Sequence, residues 1–243
     1  PPMCRAHPPE PLAAVWPVRG WEPGGLGLLD APHLQPRPLP RRQRVSSRRI
    51  RAPRLPAGFQ ADLLSLLPRY RADFEEAARQ SGVDWRLLAA MGYQESRWNP
   101  GARSPTGVHG LMMLTQDTAQ DLGVDRDNAR QSILGAGRLL QALYAQLPPR
   151  IAEPDRTAMV LAAYNQGIGH LQDARDVADL RGGNPDRWAD VRQALPLLSH
   201  QLWVQTTKYG PARGTEAVGF VDGVHGYYTR LRDAAPEAPA AAP

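Results

Sequence analysis

The sequence has a single cysteine, Cys4, among 243 residues. That excludes an intramolecular disulfide framework and a thiolate-built zinc site. No stretch approaches the roughly 20 apolar residues a membrane-spanning helix needs, which argues against an integral helical membrane protein. Lysine is almost missing: Lys208 is the one lysine among 29 basic residues. The six histidines show no metal-ligand spacing, and His109 and His170 read as surface residues. There is no nucleotide-binding loop and no Ser–His–Asp set, so no metal and no cofactor are implied. Alternating apolar and polar stretches are nearly absent, which removes a β architecture.

What is present divides unevenly. The net charge is +5, yet residues 1–60 hold ten arginines against Glu10, Glu22 and Asp30. The first quarter therefore carries seven net positive charges and residues 61–243 carry two net negative ones. That removes the electrostatic case for a nucleic-acid-binding globular domain. Thirteen of the 25 prolines also fall in residues 1–60. Such a segment cannot bury enough surface to offset its chain entropy and is expected to be disordered. It lacks the apolar core of a secretion signal, and Cys4 lacks the flanking residues of a lipoprotein acceptor. The Ala/Pro tail, 234–243, is expected to be frayed. Residues 61–233 remain as one domain.

This domain reads as all-α. Helical spacing predicts helices over about 62–80, 84–98 with Asp84 as N-cap, 129–147, 156–166, 168–180, 185–194 and 214–233. Thr115 can cap a short helix ending near Gly123, and a Gly/Pro/Ser-rich loop joins Asn99 to Thr115. In the helix from Asp84, Leu87, Leu88, Met91 and Trp98 form one apolar stripe, with Arg86, Tyr93, Ser96 and Arg97 pointing elsewhere. Glu95 projects from the middle of that stripe. Either the helix end turns to solvent and Glu95 rims the core, or burial raises its pKa toward the range of a general acid. Periodicity alone leaves both readings open.

The surrounding residues carry more. Tyr93-Gln94-Glu95-Ser96-Arg97-Trp98-Asn99-Pro100 precedes Ser104-Pro105-Thr106-Gly107-Val108-His109-Gly110-Leu111-Met112-Met113-Leu114-Thr115, and Ala162-Ala163-Tyr164-Asn165-Gln166-Gly167 follows. In order and spacing these resemble the three signature motifs of the family 1 lytic transglycosylases, which cut peptidoglycan glycan strands on a goose-lysozyme-like helical fold. Gly110-Leu111-Met112-Met113-Leu114, Leu195-Pro196-Leu197-Leu198 and Arg213-Gly214-Thr215-Glu216-Ala217 are similar to the membrane-bound branch of that family. The resemblance covers about residues 63–233.

The resemblance implies that Glu95 is a single catalytic acid/base. It implies that Ser104 and the Tyr164 hydroxyl both hydrogen-bond its carboxyl, and that Asn165 contacts substrate. Gly110, Leu111, Met112 and Met113 correspond to a wall of the sugar cleft; many relatives carry Gln at the last position. Taken alone, Tyr164 is a core aromatic, Met112 and Met113 are gap-fillers, Asn165-Gln166-Gly167 is a helix end and Ser104–Gly107 a turn.

A glycosidase ordinarily needs two carboxylates. Asp117, Asp121, Asp125 and Asp127 read as solvated, and no second buried acid is evident. One acid suffices if muramic acid supplies its own 6-hydroxyl, giving 1,6-anhydro ends without water. The implied partner is peptidoglycan glycan strands, with no nucleic acid, acting as a monomer in the periplasm in peripheral association with the outer membrane. Relatives of that branch place the domain after a solute-binding-like module, for which residues 1–60 are too short. Three alternatives stand beside this reading: a hydrolytic muramidase on the same fold, an inactive peptidoglycan-binding scaffold, and an Arg-rich tether at residues 41–54.

Overall fold

Helix ends in this protein are set by short-range chemistry. The Asp84 carboxylate accepts the Arg86 N–H at 2.9 Å, and Trp85–Ser96 follows as a helix. Thr115 Oγ1 accepts the Thr118 N–H at 3.1 Å ahead of Gln116–Asp121. Asn128 Oδ1 does the same for Gln131 at 3.1 Å ahead of Ala129–Gln146. Each cap satisfies a backbone donor that the first helical turn leaves without a partner.

The computed structural model describes residues 58–105 and 107–234. The expectations of disorder for residues 1–57 and for the tail from 235 lie outside the described residues. In chain order the helices are α1 (Phe59–Ser65), α2 (Leu67–Ser81), α3 (Trp85–Ser96), α4 (Gln116–Asp121), α5 (Ala129–Gln146), α6 (Asp155–Gln166), α7 (Ile168–Leu180), α8 (Trp188–Ala194), α9 (Gln201–Val204) and α10 (Gly214–Ala234). A 3₁₀ turn, Leu195–Ser199, follows α8. Among the described residues no strand forms; Arg103–His109 and His109–Leu114 are isolated bridges. The class is all-α, as expected.

Three expectations need correction. The helix expected over 62–80 is two helices that break at Leu66, with Pro68 starting the second. Packing begins earlier than residue 61: Phe59 is only 2% exposed. Its ring lies 4.7 Å from Tyr93 and 4.8 Å from Tyr227, centre to centre.

The third concerns α3. It has no solvent face along most of its length, because α2, α5 and α10 all pack against it. Arg86 and Tyr93, expected to point away from the core, are buried. A helix enclosed on every side buries whatever it carries, so polar side chains there need partners. Arg86 pairs with Asp84 at 2.8 Å, and the Tyr93 hydroxyl donates to Asp62 Oδ2 at 2.7 Å.

The end of α3 is also earlier than the pattern suggested. Arg97 and Trp98 both adopt left-handed backbone, φ 54° and 57°. Each such non-glycine residue costs about 1–2 kcal/mol. The reversal turns the Trp98 ring back along its own helix, where Nε1 donates to Ala89 O at 2.8 Å and the ring meets Tyr93 at 4.7 Å. Burial of that ring offsets the strain. The result is a rigid stub from which Glu95 emerges.

Candidate active site

Glu95 lies in the last turn of α3, two residues before the reversal. Its side chain keeps a solvent-facing edge, yet most of its surroundings are protein. Loss of hydration is the cause acting on its carboxyl and pushes it up to about 8. No neighbouring carboxylate or guanidinium contributes. At neutral pH this acid is largely protonated.

The Tyr164 phenol, near the end of α6, is held well above its ordinary range, first by burial and then by the proximity of Glu95. The two side chains are therefore neighbours, as the resemblance implied. The implied bond between them is not formed. The Tyr164 hydroxyl instead donates to Met112 O at 2.8 Å, and its ring stacks on Phe220 of α10 at 6.2 Å and 10°. Nor does Ser104 bond Glu95: its N–H donates to Val108 O at 3.0 Å and its carbonyl accepts from Gly107 at 3.1 Å. Among the described residues nothing donates to the Glu95 carboxyl. Asn165 is exposed at the helix end beside Tyr164.

The segment Gly110–Met113 lies against the end of α3. A Cβ on Gly92 would sit 2.9 Å from Leu111 Cδ2 and 3.1 Å from Met112 Sδ, so glycine there allows the close approach. Leu111 and Met112 are fully buried, and Met113 is half-buried with left-handed backbone, φ 50°. Arg97, Trp98 and Met113 are the left-handed non-glycine residues among those described, and all three border this site. Backbone strain of this kind gathers where surrounding contacts hold a functional geometry in place.

Gly110 is the constrained glycine of this segment. Its φ is +82°, and a Cβ would come within 1.9 Å of the Arg126 carbonyl oxygen. Gly110→Ala is expected to displace this segment and cost about 2 kcal/mol or more. Gly82→Ala, at φ +74° with open space around it, should cost only the backbone strain. Thermal denaturation of the pair checks this: equal losses would show that the contact with Arg126 is unimportant.

Sequence reasoning named no second buried acid, and the structure supplies one. Asp173 on α7 is 2% exposed. Its oxygens accept the Lys208 and Tyr209 N–H groups at 2.9 and 3.0 Å, which ties the 205–213 segment to α7. It has no part in the shift of Glu95. Asp117, Asp121, Asp125 and Asp127 are exposed. Sequence reasoning also missed Ser132 and Phe220, which touch the site from α5 and α10. A lone serine and a lone phenylalanine inside helices carry no local signal.

Comparison with known proteins agrees with the motif reading. Residues 73–184 match the family described as Transglycosylase SLT domain. The chain is 58% identical over 172 residues to membrane-bound lytic murein transglycosylase F of Thiobacillus denitrificans, covering 70% of this chain and 37% of that one. The protein of the same name from Saccharophagus degradans is 52% identical over 172 residues, 70% of this chain and 34% of the relative. That from Marinobacter nauticus is 51% identical over 185 residues, 75% and 37% respectively. The chain thus spans about a third of the length of these relatives.

Proposed function

We propose, from the premise that residues 73–184 belong to the transglycosylase SLT domain family with its lysozyme-like helical fold, that this protein is a peptidoglycan lytic transglycosylase. It cleaves the β-1,4 bond between N-acetylmuramic acid and N-acetylglucosamine and needs no cofactor. Glu95 is its acid and then its base. The observation that carries this reading is a lone carboxyl raised to about 8 by burial, with no second carboxylate acting on it.

Protonated Glu95 donates its proton to the glycosidic oxygen as that bond breaks. The resulting carboxylate then accepts the proton of the muramoyl 6-hydroxyl, whose oxygen attacks C1 and closes a 1,6-anhydro ring. The 6-hydroxyl is already part of the reacting sugar, and well-oriented intramolecular groups reach effective molarities of about 10⁵ M or more. Water would need a base of its own on the opposite face. Gly110–Met113 and Asn165 line the sugar cleft. Ser104, on the loop ahead of Gly110, is the proposed hydrogen-bond donor to the Glu95 carboxyl when glycan is bound. The domain extends over the helices from α1 to α10. The relatives bear membrane-bound names; the working location is the periplasm, with peripheral association at the outer membrane and a monomeric state. No described helix is long and apolar enough to cross a membrane.

Purified sacculi digested in ¹⁸O-water test the reaction. The products should end in unlabelled 1,6-anhydromuramic acid, lighter than hydrolytic products by one water. Labelled reducing ends as the main product would make the protein a muramidase. Binding without cleavage would make it a scaffold.

A further inference from the structure

The segment Gly110–Met113 is tied to three helices by three hydroxyl groups. On α3, Ser96 Oγ donates to Leu111 O at 2.8 Å and accepts the Asn99 N–H at 3.1 Å. On α6, the Tyr164 hydroxyl donates to Met112 O at 2.8 Å. On α5, Ser132 Oγ accepts the Met112 N–H at 3.3 Å, and Ser132 is fully buried. Met112 therefore has both of its backbone polar groups held by side chains from different helices. The residue after it is the left-handed Met113, a conformation that persists only where neighbouring contacts over-determine it. None of these bonds reaches Glu95.

We infer that Ser132 is a positioning residue for the glycan. With Ser96 and Tyr164 it sets where the Leu111–Met113 backbone stands relative to Glu95. It thereby governs how tightly an N-acetylated sugar chain is held, and it leaves the acidity of Glu95 alone. The inference rests on the proposed reading of residues 110–113 as the wall of a glycan cleft. Two arguments single out Ser132. Its hydroxyl accepts from the N–H of the Leu111–Met112 peptide unit, whose carbonyl Ser96 holds, so losing it leaves that unit fixed on one side only. It also lies on α5, which contributes no residue to the proposed chemistry, so its removal leaves the reacting groups in place. Displacements of about 1 Å in such walls are enough to weaken productive binding.

The test uses Ser132→Cys and Ser132→Ala in the full chain. Cysteine keeps most of the volume and replaces the oxygen with a weak acceptor. Calorimetry with the tetramer of N-acetylglucosamine gives Kd, and turnover of soluble glycan across a pH series gives kcat and KM. Both variants should raise Kd and KM about tenfold, the effect of one buried hydrogen bond. kcat should fall by less, and the alkaline limb of the pH profile should stay at the parent's position. A fall in Tm with Kd unchanged would make Ser132 merely structural and overturn the inference, and a displaced alkaline limb would overturn it too, by placing Ser132's action on Glu95. Should either variant fail to fold, Tyr164→Phe removes the bond on the other side of Met112 and must give the same split. A parent protein that neither binds the tetramer nor cuts sacculi would overturn the glycan reading and this inference with it. A working parent with variants of unchanged Kd would overturn the inference alone.

Discussion

Glu95→Gln is expected to fold, to bind glycan and to lose at least about 10²–10⁴-fold in turnover, the usual contribution of a positioned acid/base. It should also be more stable than the parent at alkaline pH. The Glu95 carboxyl titrates at about 8 in the folded chain and at its ordinary value of 4.5 when hydration is restored. Between those values the folded state holds a proton that the unfolded state has released, so stability falls as pH rises through this window. Below about pH 4.5 the carboxyl is neutral in both states and the effect vanishes. Gln stays neutral throughout. Allowing for the solvent-facing edge of Glu95, the gain at pH 8 is on the order of 1–2 kcal/mol, a few degrees in Tm for a domain of this size. The parent's own rate should decline on the alkaline side with an apparent pKa of about 8, as the protonated acid is lost. Melting curves at pH 4.5 and 8 and a pH–rate profile check all of this. Retained turnover in the Gln variant would remove Glu95 from the chemistry. An unchanged difference in Tm across that pH range would show that its carboxyl is not held neutral.

Phe59→Ala is the second large effect, and its cause lies in the packing around the Glu95 helix. The Phe59 ring meets Tyr93, Tyr227 and Trp98 at 4.7, 4.8 and 6.3 Å, in the cluster that fixes the end of α3. Truncating a buried Phe costs about 3–5 kcal/mol. For a domain of roughly 170 residues that is on the order of 10 °C in Tm. Activity measured well below the new Tm should fall as well, because Tyr93 and Trp98 lose the ring that holds the Glu95 stub. A Tm within two or three degrees of the parent's, read by calorimetry, would show that α1 is a loose appendage and that packing starts at α2.

The fold class and most helices were legible because capping and helical periodicity are local. Asp84, Thr115 and the spacing of Leu87, Leu88 and Met91 need no knowledge of the rest of the chain. The break at Leu66 and the short helical turns at Leu195–Ser199 and Gln201–Val204 were not legible. Pro68 and Pro196 mark the starts of Leu67–Ser81 and Leu195–Ser199, but a proline in the first turn of a helix does not by itself say that another helix ends just before it; how neighbouring helices abut decides that. The burial of Arg86 and Tyr93 was hidden for a related reason. A helical wheel presumes one solvent face, and α3 is enclosed by other elements all round.

By itself, then, the sequence determined an all-α domain, its family motifs, and the candidacy of Glu95 as an acid with no paired carboxylate in the motifs. Tertiary structure alone decided what each motif side chain touches. The Tyr164 hydroxyl can reach either a carboxyl or a backbone carbonyl. The spacing between α6 and the Gly110–Met113 segment sends it to Met112 O. That same packing strips water from Glu95, recruits Ser132 from a helix with no motif, and engages Asp173 with two backbone amides. Residue type and spacing along a chain specify local hydrogen bonds, which span a few residues. Desolvation and long-range partners depend on distances between elements, and those exist only once the helices have packed.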